Sequence, residues 1–169
     1  MPISQMLLPE FDNEMVSTRK LLANLPEDKL DYQPHPKSMK LGRLAGHIAE
    51  MAGWIAELPG KESLVIPPDW KPNTATSKSQ LLSFFDANVA KGRAALASLS
   101  DEEMQQPWSL IFGAGQKAFT LPKVAVIRNV VMNHIIHHRG QLGVYYRLND
   151  VAVPGMYGPS ADDKSATAA

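Results

Sequence analysis

A chain of 169 residues has the length of one domain and can bury about 70% of its unfolded surface without staples. Lys and Arg number 17 and Asp and Glu number 17, so the formal net charge is zero; no basic stripe points to nucleic acid and no polybasic run to a membrane surface. Cysteine is absent, which excludes disulfides, a thiol nucleophile and thiolate metal ligands.

The opening residues Met1-Pro2-Ile3-Ser4-Gln5 show neither a charged leader nor an apolar signal core. No window of about 18 apolar residues occurs. The expectation is a soluble cytoplasmic protein, with no nucleic-acid or membrane partner.

The first predicted helix runs from Ser4 to Leu25. Leu8, Phe11, Met15, Thr18, Leu22 and Leu25 form one helical stripe, with Thr18 its only polar member. A short acidic turn follows at Pro26-Glu27-Asp28, and Pro34 and Pro36 then force an extended stretch. The second helix spans Lys40 to Leu58, with Leu44, His47, Ile48, Met51, Ile55 and Leu58 on one face and Pro59-Gly60 as its stop. A proline-rich loop is expected from Pro59 to Thr76.

The third helix begins near Ser77, where Ser77 with Gln80 fits a reciprocal capping box. Leu81, Phe85, Asn88, Val89, Gly92, Leu96 and Leu99 make its inner face. A second capping box opens the short turn at Ser100. Between Trp108 and Thr120 the pattern changes to a small β-hairpin or irregular excursion. The fourth helix is expected from Thr120 to Asn149, with Pro122 tolerated in its first turn.

The two halves echo each other: long helix, acidic turn, proline-marked connection, long helix. The fold class is therefore all-α, a four-helix bundle. Residues 1–159 read as a single domain, and residues 160–169 as a small, polar, disordered tail.

The chemistry concentrates in Asn133-His134-Ile135-Ile136-His137-His138-Arg139-Gly140-Gln141. Residues i and i+4 of a helix lie about 40° apart and about 6 Å along the axis, so His134 and His138 can grip one ion. Ile127, Val131, His134, His138, Leu142 and Tyr145 share a stripe, which turns both imidazoles inward. His47 lies on the inward stripe of the second helix, and the three converge if the second and fourth helices are neighbours. An HxxxH pair alone is weak, and buried histidines are more often simply hydrogen-bonded. Three inward histidines would each need a partner, and few acidic residues lie on the inner faces to supply one. Three protein ligands with open positions is the catalytic zinc pattern; imidazole also suits nickel, iron and copper. The Glu-x-x-His of di-iron bundles and the HExxH of zincins are both missing. His137 points to a neighbour, the rim or solvent, and His35 is a loop histidine.

Three blocks carry a family resemblance: Tyr32-Gln33-Pro34-His35-Pro36-Lys37-Ser38-Met39, then Leu41-Gly42-Arg43-Leu44-Ala45-Gly46-His47-Ile48-Ala49, then the Asn133–Leu142 segment. Over residues 4–150 the chain resembles the DinB/YfiT family of metal-dependent enzymes. The resemblance implies a four-helix bundle of up-down-down-up topology, often dimeric, acting on a small-molecule substrate. It implies one divalent metal, nickel or zinc, on His47, His134 and His138. Some relatives are S-transferases that use a low-molecular-weight thiol cosubstrate; hydrolysis is the nearest variant. The rival reading is a non-catalytic metal-binding stress-response or protein-interaction bundle. Glu50 is a candidate catalytic base, a support for His47, or a solvated charge. Arg139 and Gln141 read as residues that position substrate or, the favoured reading, brace the helices, and Trp54, Trp70, Trp108 and Tyr145 as pocket, core or dimer-packing aromatics.

Overall fold

Helix α1 (Ile3–Leu22) buries Leu7, Phe11, Met15, Thr18, Leu21 and Leu22; Leu8 of the expected stripe is only half-buried, and Leu7 and Leu21 lie on the buried face instead. The structure, a computed structural model, describes residues 1–113 and 115–163. Helix α2 (Leu41–Met51) is followed without a break by a 3-10 segment, Ala52–Glu57. Helix α3 (Lys78–Ser98) and the short α4 (Asp101–Gln105) come next. A single turn, α5 (Lys123–Ala125), runs into a π-helical stretch (Val126–Met132) and then α6 (Asn133–Arg147). No described helix is long and apolar enough to cross a membrane.

The long helices pack in a ring. Helix α1 packs on α3, α3 on α2, α2 on α6 and α6 back on α1. The second and fourth long helices are therefore neighbours, as the three-histidine site requires. Leu41, Leu44, Ile48, Met51 and Ile55 fill the centre with Phe11, Phe85, Leu96, Ile127 and Leu142, all essentially without solvent contact. Helix α3 crosses very close to the 3-10 segment at Gly92, where a Cβ would stand 2.0 Å from Ala52 O. Glycine is what permits that crossing.

Three expectations are corrected. The loop from Pro59 to Thr76 contains a strand, β1 (Ser63–Ile66), paired in parallel with β2 (Pro107–Phe112). Leu64-Val65-Ile66 is a β-prone run, and Pro67 fits after a short edge strand because no further ladder bond is needed there. The hairpin is real: β2 pairs antiparallel with β3 (Gln116–Pro122), giving a three-stranded sheet in the order β1-β2-β3. Strand β3 consumes Thr120 to Pro122, so the last helical region begins at Lys123. Two-residue alternation explains this: Phe119 and Leu121 are half-buried, while Thr120 is exposed and meets Ser109 across the ladder at 2.7 Å. The fold is thus predominantly helical with a small sheet, rather than purely helical.

The capping boxes form by halves. Gln80 N–H donates to Ser77 Oγ at 3.2 Å and Glu103 N–H to Ser100 Oγ at 3.1 Å. The return contact of Glu103 goes elsewhere. Its carboxylate accepts from Gly60 N–H at 2.7 Å and from the buried Lys123 ammonium at 2.8 Å, tying the end of β3 to the helical body. Those two donors hold the Glu103 carboxyl below its usual range, Lys123 contributing most.

The expected polar tail begins at Ser160. Asp162 there pairs with Arg147 at 2.7 Å and accepts from Val153 N–H at 2.9 Å. Residues 164–169 lie outside the described residues.

Candidate metal centre

His134 and His138 come from α6 and His47 from α2, and one nitrogen of each lies within 4.8 Å of the other two. The ring centroids are 4.5 Å apart for His134 and His138, 4.9 Å for His47 and His138, and 5.2 Å for His47 and His134. His138 is buried and the other two half-buried. The Nε2 atoms of His134 and His138 stand 2.8 Å apart. Nitrogens about 2.0–2.1 Å from a tetrahedral zinc are spaced by about 3.3 Å, a value these separations bracket.

The opposite edge of each ring is anchored. His47 Nδ1 meets Glu50 Oε1 at 2.7 Å, His138 Nδ1 meets Gln141 Oε1 at 2.7 Å, and His134 Nδ1 meets Val130 O at 3.2 Å. Each partner is an oxygen, which favours the proton on Nδ1 and a lone pair on Nε2 when an ion is bound. Metal-bound histidines are oriented in this way. Burial lowers the pKa of His134, and it lowers that of His138 to about 4, with the neighbouring imidazoles adding to both effects. Charging either ring is therefore a poor remedy for the close approach of the His134 and His138 Nε2 atoms; without an ion, one Nε2–H donates to the other. The three nitrogens could hold a divalent metal.

The π-helical turn contributes to this arrangement. Asn133 N–H reaches back five residues to Arg128 O, and Val130 O within the wide turn receives His134 Nδ1. Such turns recur at functional sites. Nothing in the local sequence announces one.

Glu50 is buried, and both its oxygens are engaged. Oε1 takes His47 Nδ1 and lies 3.3 Å from Arg43 Nη1; Oε2 accepts from Asn73 N–H at 3.4 Å. Gln141, which reads in the sequence as a helix brace, instead supports His138. The i, i+3 spacing of His138 and Gln141 was the available signal. Arg139 does brace helices: its guanidinium pairs with Glu14 Oε2 at 2.6 Å, donates to Glu14 O and Thr18 Oγ1, and donates to Tyr157 Oη at 2.7 Å. Glu14 lies between Phe11 and Thr18 at helical spacing, so its burial could have been read.

The remaining residues divide. Trp54 lies beside the site, its ring centroid 5.5 Å from His47 and 6.1 Å from His134. Trp108 is core, donating to Glu57 O, and Tyr145 packs edge-on against Tyr32. Trp70 is largely exposed. His137 is exposed and His35 accepts from Lys37 N–H within its loop, so neither joins the triad.

Comparison with known proteins places this geometry. The chain is 26% identical over 156 residues to the uncharacterized protein YrdA of Bacillus subtilis, covering 92% of this chain and 89% of the relative. A DinB-like protein from Bacillus cereus superposes with a TM-score of 0.69 at 23% identity, covering 92% of this chain and 98% of the other. The DinB-like protein YjoA of Bacillus subtilis superposes with a TM-score of 0.66 at 20% identity, covering 89% and 96%. These two similarities establish a shared fold. The DinB family model matches residues 4–167, nearly the whole chain, and the protein belongs to the DinB family.

Proposed function

We propose that the protein is a mononuclear divalent-metal enzyme that presents a thiol or water to an electrophilic small molecule, with S-transfer the favoured reaction and hydrolysis its variant. The observation that carries this reading is the donor set: three convergent imidazole nitrogens, each anchored from behind, with no carboxylate among them. Nickel or zinc suits such a set. Lewis acidity is what the ion supplies when bound, lowering the pKa of a thiol or water so that a nucleophile exists near neutral pH. In S-transfer the thiol gives up its proton, a sulfur–carbon bond forms, and the leaving group departs with its bonding pair.

The chain's own residues set the stage for that step. His47, His134 and His138 hold the site, and Glu50, Val130 O and Gln141 fix their rings. Trp54 lies along the flank beside His47 and His134. Glu50 has both oxygens occupied, which supports an anchoring role over that of a base. We read the helical body as an up-down-down-up bundle and the working form as a cytoplasmic homodimer. Exposed Val144 on α6 and exposed Leu148 just beyond its end support the assembly. The thiol cosubstrate is a low-molecular-weight one.

Metal analysis of untagged protein tests the first half. One nickel or zinc per chain, lost in His47→Ala, is the expected result; no ion in either sample would overturn it. Turnover tests the second half. Metal-loaded protein should consume at least one thiol–electrophile pair in a broad panel. Full loading with no turnover of any pair would favour a metal-binding or interaction role instead.

A further inference from the structure

Residues 67–77, between β1 and α3, cross α2 as a strap beside the candidate metal centre. The strap touches α2 through its backbone. Asn73 O accepts from Arg43 Nη1 at 3.0 Å, Asn73 N–H donates to Glu50 Oε2 at 3.4 Å, and Ala75 N–H donates to Gly42 O at 2.9 Å. So close an approach needs α2 to be bare there. A Cβ on Gly46 would stand 2.8 Å from Asn73 O, and one on Gly42 would stand 3.0 Å from Ala75 O. Two glycines one turn apart thus admit the strap, and the strap's peptide reaches the carboxylate whose other oxygen holds His47.

We propose that this strap is a working part of the metal site. By pinning the Glu50 carboxylate between Asn73 N–H and Arg43, it holds His47 in the Nδ1–H tautomer and leaves Nε2 free to ligate. An unanchored imidazole samples both tautomers, and only one of them offers Nε2 as a donor. The 2.7 Å contact from Glu50 Oε1 requires a proton on His47 Nδ1. That proton excludes the competing arrangement in which Arg43 Nη2, 3.4 Å away, donates to the same nitrogen. Gly46 and Arg43 are therefore positioning residues that act through Asn73 and Glu50. This inference rests on reading the triad as a metal site, but its signature is visible without metal.

The test is ring nitrogen-15 NMR of the metal-free full-length chain at about pH 8, where an ordinary imidazole is neutral. In the wild type, His47 should show a protonated Nδ1 and an unprotonated Nε2. Gly46→Ala, which pushes the strap away, and Asn73→Pro, which removes the N–H that Glu50 Oε2 accepts, should shift His47 toward the Nε2–H tautomer. Both should weaken zinc binding about 10- to 100-fold, with one ion still bound per chain. Should Gly46→Ala fail to fold, Asn73→Pro carries the test alone. A wild-type His47 protonated on Nε2 would overturn the proposal. So would variants that keep both the wild-type tautomer and the wild-type zinc affinity. A wild type that binds no zinc sinks the metal reading separately, and the tautomer signal still decides whether the strap holds His47.

Discussion

Helix α6 carries two polar clusters on different faces, and they are built on opposite principles. On one face Arg139, 3% exposed, is closed off: the Glu14 carboxylate neutralises it, and Glu14 O, Thr18 Oγ1 and Tyr157 Oη take its N–H groups. On the other face His134 and His138 have oxygen partners at Nδ1, their Nε2 atoms stand 2.8 Å apart, and a nitrogen of His47 lies within 4.8 Å of the pair. A cluster that satisfies itself holds helices together. A cluster whose nitrogens converge on one point could hold an ion. Adjacent residues, His138 and Arg139, thus belong to a cluster that could hold a metal ion and to one that braces the helices, respectively.

The largest effect that sharpens the contrast lies on the closed face. Glu14→Ala leaves the Arg139 charge buried without its counter-ion and should cost about 3–5 kcal/mol of stability. Urea denaturation measures the loss, and metal stoichiometry at saturation should not change. Next comes the open face. His138→Ala should lower nickel or zinc affinity by more than about 100-fold, beyond what loss of a supporting residue causes, while the chain still folds. Calorimetric titration reads it; an unchanged affinity would merge the two faces into one structural class.

Acid should then act on the open face of the metal-free protein. Burial depresses His134 and His138, the latter to about 4, so below pH 6.5 the unfolded chain binds protons that the folded chain refuses. Stability is complete above the ordinary histidine value and declines as pH falls toward 4. The slope approaches about 1.4 kcal/mol per pH unit for each group. Denaturation midpoints between pH 7 and pH 4.5 follow it, and His138→Ala should flatten the slope.

The smallest effect concerns a third polar group on the same helix. Tyr146 is fully buried, and its hydroxyl finds no partner among the described residues; burial raises its pKa above the ordinary tyrosine value. Tyr146→Phe should change stability by no more than about 1 kcal/mol, in the stabilising direction. A large loss on thermal melting would show that this hydroxyl is satisfied after all.

What the sequence revealed follows from the range of its signals. Three- and four-residue spacing located α1, α3, the hydrophobic face of α2 and the inward turn of His134 and His138, because those patterns are local. The same rule applied to Phe11, Glu14 and Thr18 would have buried Glu14. It placed β1 in a loop because four strand residues between prolines carry little periodicity. It began the last helix three residues early because Thr120-Leu121-Pro122 suits either a helix start or a strand end. The wide turn at Val126–Met132 and the approach of Asn73 to Glu50 depend on contacts distant in sequence, and no local pattern encodes them.

The most direct measurement is a crystal structure of zinc-loaded protein with anomalous scattering recorded at the zinc edge. One zinc per chain is expected, bound about 2.0–2.1 Å from Nε2 of His47, His134 and His138 and by no fourth protein ligand. A zinc held by other residues, a closed set of four protein ligands, or no zinc at these histidines would contradict it.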